Sequence, residues 1–146
     1  VTPIREAVTA AAHARLAAVL TGVTVERVRR APPDLSELPL VVVAAGDMTA
    51  DEEQSPGETF WRIGVTVTGH AMGGTDLAAE QALSELHARV VAAMQGHDLG
   101  AGVVDALSDG ATFEMLLAED SDTPAGAFEA RFTVLAVAPS GNPYAA

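Results

Sequence analysis

Cysteine is absent from the 146-residue chain, which excludes disulfide bridges, thiolate metal sites and cysteine nucleophiles and leaves the redox compartment open. Lysine is absent too. All 8 basic residues are arginines, set against 20 acidic residues for a net charge of −12. Such a chain repels phosphate polyanions over long range, which argues against wrapping of nucleic acid and against adhesion to anionic membranes. Aromatic residues make up only 4% of a chain that is 49% apolar, so the core must be built mainly from Ala, Val and Leu. Phe60, Trp61, Phe113, Phe128 and Phe132 are its bulky members. No apolar run approaches the ~18 residues of a membrane span. The opening "VTPIREAV" lacks the charged region and continuous apolar stretch of a signal peptide. The expectation is one soluble domain over 1–146, made in the cytoplasm.

What is present is periodicity. Thr2 suits an N-cap and Pro3 a first helical position, after which Ile4, Val8, Ala12, Leu16 and Leu20 recur at helical spacing up to Gly22. "VTVERVRR" then alternates as a strand, the prolines of "APPDLSELP" enforce a loop, and "LVVVAA" suits a well-buried second strand. In "TFWRIGVTVTG", Trp61, Ile63, Val65 and Val67 share one face, while Arg62, Thr66, Thr68 and His70 share the other. Between these strands, 46–59 reads as a long acidic loop, and long loops inside compact domains commonly carry function.

Thr75 can cap a second helix whose Ala79, Ala82, Leu83, Leu86, Val90, Ala93 and Met94 form one stripe ended by Gly96. Val103, Val104 and Leu107 fit either a short helix or a bulged strand, and 113–117 reads as extended. "GAFEARFTVLAVAP" closes the series with Phe128, Ala130, Phe132, Val134 and Ala136 on one face, before a tail at 138–146. Strands grouped around two helices predict an α+β fold: a mainly antiparallel or mixed sheet of about five strands, covered on one face.

Catalytic and metal patterns are weak. His13, His70, His87 and His97 make no His-x-x-x-His pair, and Ser84 with His87 is a helical spacing without a visible third member. The acids at 51–53 and at 119–122 lack the ligand ladder of a calcium loop. No cofactor, metal or catalytic residue is expected, and the chain is read as a non-enzyme.

The run "RRAPPDLSELPLVVVAAGDM", the acidic loop, "TFWRIGVTVTG", "DLAAEQALSELHARVVAAM" and "GAFEARFTVLAV", in this order, resemble the tail terminator family of long-tailed phages. The likeness is to the lambda-type minor tail protein and to its counterparts in gene transfer agents. It implies a structural virion protein that forms a hexameric ring on the head-proximal end of the tail tube. Such a ring stops tube polymerisation and offers a docking surface to the head completion, or stopper, protein. DNA would pass through its lumen without specific binding, and no membrane is involved. Assembly would occur in the host cytoplasm and end in the particle. The expected subunit or tube contacts are Asp47, Asp51, Glu52, Glu53 and Glu58 on the arm, with Arg27, Arg29 and Arg30 as complementary charge. A small oligomeric α+β ligand-binding domain is the alternative.

Overall fold

The computed structural model describes residues 2–51, 56–95, 99–100, 102–116 and 123–144. Ile4, Val8, Ala12 and Leu16 are all buried along one side of helix α1 (Ile4–Val19), as their spacing requires. Thr2 does not cap it: Pro3 is the N-cap, and among the described residues no side chain caps the first-turn N–H groups. The end of the chain supplies the partner instead, since Ile4 N–H donates to the Pro143 carbonyl at 2.8 Å and Pro3 bridges Tyr144.

Five strands follow: β1 (Thr24–Arg27), β2 (Leu40–Ala50), β3 (Glu58–Met72), β4 (Val103–Leu116) and β5 (Ala125–Pro139), with helix α2 (Asp76–Met94) between β3 and β4. Their order across the sheet is β1-β2-β3-β5-β4. β1 runs parallel to β2, and every other pair is antiparallel. The fold is therefore α+β with a mixed sheet. α1 lies over β1, β2 and β3, and α2 lies over β3, β5 and β4. The core is the layer between. Ile63, Val65 and Val67 of β3 meet Phe128, Ala130, Phe132 and Val134 of β5 and Leu83, Leu86 and Val90 of α2.

Thr75 caps α2 as its type predicts, its hydroxyl accepting from Ala78 N–H at 3.0 Å. Gly96, the expected stop, lies outside the described residues. Several boundaries differ from expectation, β1 among them, which ends at Arg27 instead of running on to Arg30. β2 continues to Ala50 and β3 begins at Glu58, so the connection is 51–57, and Asp47, Glu58 and Thr59 belong to strands. Cross-strand pairing wins over local polarity here, because Met48, Thr49 and Ala50 find partners in Ile63, Arg62 and Trp61. The segment from Val103 is a bulged strand, with register shifts at Val103/Asp105 and Ser108/Ala111. β5 reaches Pro139, two residues into the expected tail.

The β2 irregularity begins at Ala45 and the β4 bulge at Ser108, and these residues lie in one row through Val65 and Phe132. Bulges bend and twist the strands that carry them, so the sheet curves along this line. At Gly69 the fold needs the absence of a side chain: an added Cβ would sit 2.2 Å from Cε1 of Phe128, its cross-strand partner. Gly69→Ala should lower stability by about 1–3 kcal/mol through overpacking. An unchanged urea midpoint would show that the Phe128 ring moves aside freely.

Candidate functional site

The residues singled out from sequence occupy two separate places. Asp51 closes the β2–β3 hairpin, its N–H donating to the Phe60 carbonyl at 2.8 Å. Its carboxylate lies 3.3 Å from the Arg62 guanidinium, a surface pair worth at most about 1 kcal/mol. On the other side of the arm, Ser140 N–H donates to the Gly57 carbonyl at 2.9 Å, so β5 holds the returning chain. Trp61 is half-buried against the core at this base, and its indole N–H is buried with no partner among the described residues. Asp47 is exposed beside the β2 bulge, and Glu58 is exposed at the start of β3. Glu52, Glu53 and the acids at 119–122 lie outside the described residues.

The three arginines after β1 have different surroundings. Arg27 makes a two-pronged contact with Glu6 of α1 at 3.0 and 3.2 Å. That hydrogen bond, with the charge behind it, holds the Glu6 carboxyl below its ordinary pKa. Arg29 bridges Glu26 at 3.1 Å and Glu37 at 2.6 Å, and Glu37 also accepts from Asp34 N–H at 3.0 Å. Arg29 thus fastens the proline-rich loop to β1. Arg30 is exposed and has no partner among the described residues. Arg27 is level with Val43 on β2, and the seven residues from Val43 to Ala50 carry the arm roughly 20 Å further on. Among the described residues, the arm and these three arginines do not meet within one chain.

His87 is a packing residue. Its ring meets Phe113 and Phe128 edge-on, with centroids 5.1 and 5.2 Å away. Nε2 is buried without a partner among the described residues, and burial lowers the pKa from its ordinary 6.5. Ser84 lines a shallow depression with Glu80, Leu83, Phe113, Glu114 and Met115, and among the described residues no acid is hydrogen-bonded to His87. His70 is also held below 6.5, first by burial and then by the charge of Arg29. Both histidines bind protons more readily unfolded than folded, so stability rises with pH across this range. The benefit is complete above about pH 6.5 and declines as pH falls from there towards the lower folded values. The thermal midpoint should drop on acidification from pH 7 to 5, and His87→Phe should flatten the drop. An unaltered slope would remove His87 from the account.

Two features escape sequence inspection. Neither helix has a basic residue in its last turn, yet arginines cross between them. Arg15 donates to the Ala93 carbonyl at 3.2 Å, in the last turn of α2, and Arg89 to the Thr21 carbonyl at 2.9 Å, in the turn that follows α1. The first satisfies a helix-end carbonyl that would otherwise need water. The second feature is the free edge of β4, where Val104, Leu107, Phe113 and Met115 are 51%, 43%, 51% and 40% exposed. Phe113 is therefore only partly the core residue its type suggests. Long unpaired edges with exposed apolar side chains are sites where other chains add. Among the described residues, no group of three or more His, Asp or Glu is placed to hold a metal ion, and no helix is long and apolar enough to cross a membrane.

The architecture defines a small α+β domain with one helix-covered sheet face, one open polar face and a long free edge. No family model matches the chain, and no curated protein matches it in sequence. Among solved structures it is similar to a chain described as "Virion of native gene transfer agent (GTA) particle", with a TM-score of 0.58 and 17% sequence identity. The match covers 93% of this chain and 96% of that one. At that identity, the likeness establishes a shared fold.

Proposed function

We propose that the chain is a structural protein of a tailed phage or gene transfer agent, and specifically the tail terminator. In this role it forms a ring, six-fold by the family resemblance, on the head-proximal end of the tail tube. The ring stops tube polymerisation and receives the head completion protein. The observation that carries the proposal is the full-length fold likeness to a chain of a gene transfer agent virion. The present sequence adds, in order, the runs that resemble the terminator family.

Physical features support it. A ring of copies would cover the apolar β4 edge that a lone domain leaves open. The excess of carboxylates suits a channel through which DNA slides, because arginines on the wall would grip phosphate. The arm at 51–57, based on Asp51, Glu58 and Trp61, would reach tube or neighbouring subunits, with Asp47, Glu52 and Glu53 adding charge. Assembly would take place in the host cytoplasm, and the protein would end in the particle at the head–tail junction.

The test is the molar mass by light scattering over a concentration series, with negative-stain images, alone and with the tube protein of the same particle. Six-fold rings, free or confined to tube ends, support the terminator role. A monomer or dimer that ignores tube ends rejects it and favours a small ligand-binding domain, for which a metabolite screen is the next measurement.

A further inference from the structure

The two outer strands of the sheet, β1 and β4, present different chemistry. β4 contains Asp105, Asp109 and Glu114 and no basic residue, interspersed with the exposed Val104, Leu107, Phe113 and Met115. At the β1 edge, Arg27 pairs with Glu6 and Arg29 with Glu26 and Glu37, which leaves Arg30 as the arginine there without a carboxylate partner among the described residues. Beside it stands Val28, 67% exposed and in the left-handed backbone region at φ +50°. A β-branched residue rarely adopts that conformation, and an exposed valine gains nothing from it within the monomer. The corner therefore offers an apolar side chain and a cation together, and β4 offers apolar side chains and carboxylates.

Resting on the ring proposed above, we infer that copies associate head to tail, the Val28–Arg30 corner of one against the Leu107–Asp109 stretch of β4 in the next. The pairing ladder places these two stretches at the same height. Arg27 is in one row with Val43, Val67, Ala130 and Ala111. β1 runs parallel to β5 and β4 runs against it, so residues after Arg27 are level with residues before Ala111. Through the register shift at Ser108/Ala111, two sheets set side by side without a vertical shift bring Val28 level with Asp109 and Arg30 level with Leu107, so the Arg30 side chain reaches two residues along β4 to Asp109, which also accepts from the Thr133 hydroxyl.

The contact is made by side chains. Thr24 N–H donates to the Pro39 carbonyl just before β2 and Val28 N–H to Val43 of β2, so the carbonyl of Val25 points away from the sheet, and His13 Nε2 of α1 already lies 3.2 Å from it. A further strand would have to compete with His13 for that carbonyl. Pairing of β4 with β4 of a second copy is disfavoured on charge, since it would set Asp105, Asp109 and Glu114 near their own counterparts in chains that each carry −12.

The natural lack of cysteine makes the test clean. Arg30→Cys and Asp109→Cys would be made singly and together, and each protein treated with a short bis-maleimide at assembling concentration. A covalent ladder of several rungs in the double variant, with none in either single variant, is the expected result. A covalent dimer of Asp109→Cys alone would show β4 meeting β4 and overturn the inference. Wild-type rings by light scattering together with a double variant that forms no ladder would refute these edges while leaving the ring intact. Wild-type monomers throughout, with or without tube ends, would refute both. Val28→Gly supplies a second readout, because glycine accepts the positive φ. Its thermal midpoint should match or exceed wild type while its self-association weakens by at least tenfold. Unchanged association would remove Val28 from the interface and overturn the inference at that corner.

Discussion

Phe128→Ala should lower the unfolding free energy by about 3–5 kcal/mol, the cost of a large cavity in a core that cannot collapse around it. The ring is 1% exposed. It stands where Gly69, directly opposite, provides no side chain, and its remaining contacts include His87 and Phe113, with centroids 5.2 and 5.9 Å away. Neither neighbour can fill the gap without leaving its own position. A domain of this size has roughly 5–15 kcal/mol to lose, so the variant should be measurably folded at low temperature and clearly shifted in urea. Gly69→Ala in the Phe128→Ala background should be less harmful than in wild type, or even favourable, since the new methyl then enters vacated space. The two substitutions are in contact, so a double-mutant cycle should show this as a non-additive term. A loss below about 1 kcal/mol for Phe128→Ala would mean that the core relaxes far more than close packing allows.

Replacing Asp51–Gly57 with Gly-Ser-Gly-Ser should abolish assembly onto the tube and leave the domain folded. Geometry permits the graft. Ala50 pairs with Trp61, so Glu58 lies three residues, about 10 Å, further along β3 and one strand spacing away. A four-residue linker spans this gap of roughly 11 Å. The losses within the monomer include the exposed Arg62–Asp51 pair and the Asp51–Phe60 and Ser140–Gly57 hydrogen bonds. The core is untouched. The thermal midpoint should therefore change by only a few degrees, an expectation for ~1 kcal/mol in a domain of this length. Particles of normal tail length that still join heads would show that the arm has no part in assembly.

Much of this architecture was already legible in the residues. The stripes Ile4–Val8–Ala12–Leu16 and Ala79–Leu83–Leu86–Val90 specify two amphipathic helices, and strict alternation in 61–67 and 128–136 specifies two strands with one face inward. Thr75 announces its helix start through chemistry confined to three residues. These are local properties, with the side-chain period set by the backbone itself. Arg27, Arg29 and Arg30 were identifiable as a cluster, but their neighbours were not.

The chain by itself thus determined the two helices, the strands with strict alternation and the face of each that turns inward, and an acidic composition unsuited to gripping phosphate. Only the tertiary structure decided that β2 and β3 continue through the acidic tract, because Met48, Thr49 and Ala50 are held by partners more than ten residues away in sequence. It also decided that 103–116 is one bulged edge strand, since β5 alone supplies its ladder. In the same way, Arg15 closes the end of α2 and Arg89 ties α2 to the turn after α1, and Arg27 is matched by Glu6 while Arg30 has no partner among the described residues. Periodicity is a property of neighbours along the chain. Pairing, capping at a distance and charge compensation depend on which segments meet, and that is settled only when the sheet order β1-β2-β3-β5-β4 has formed.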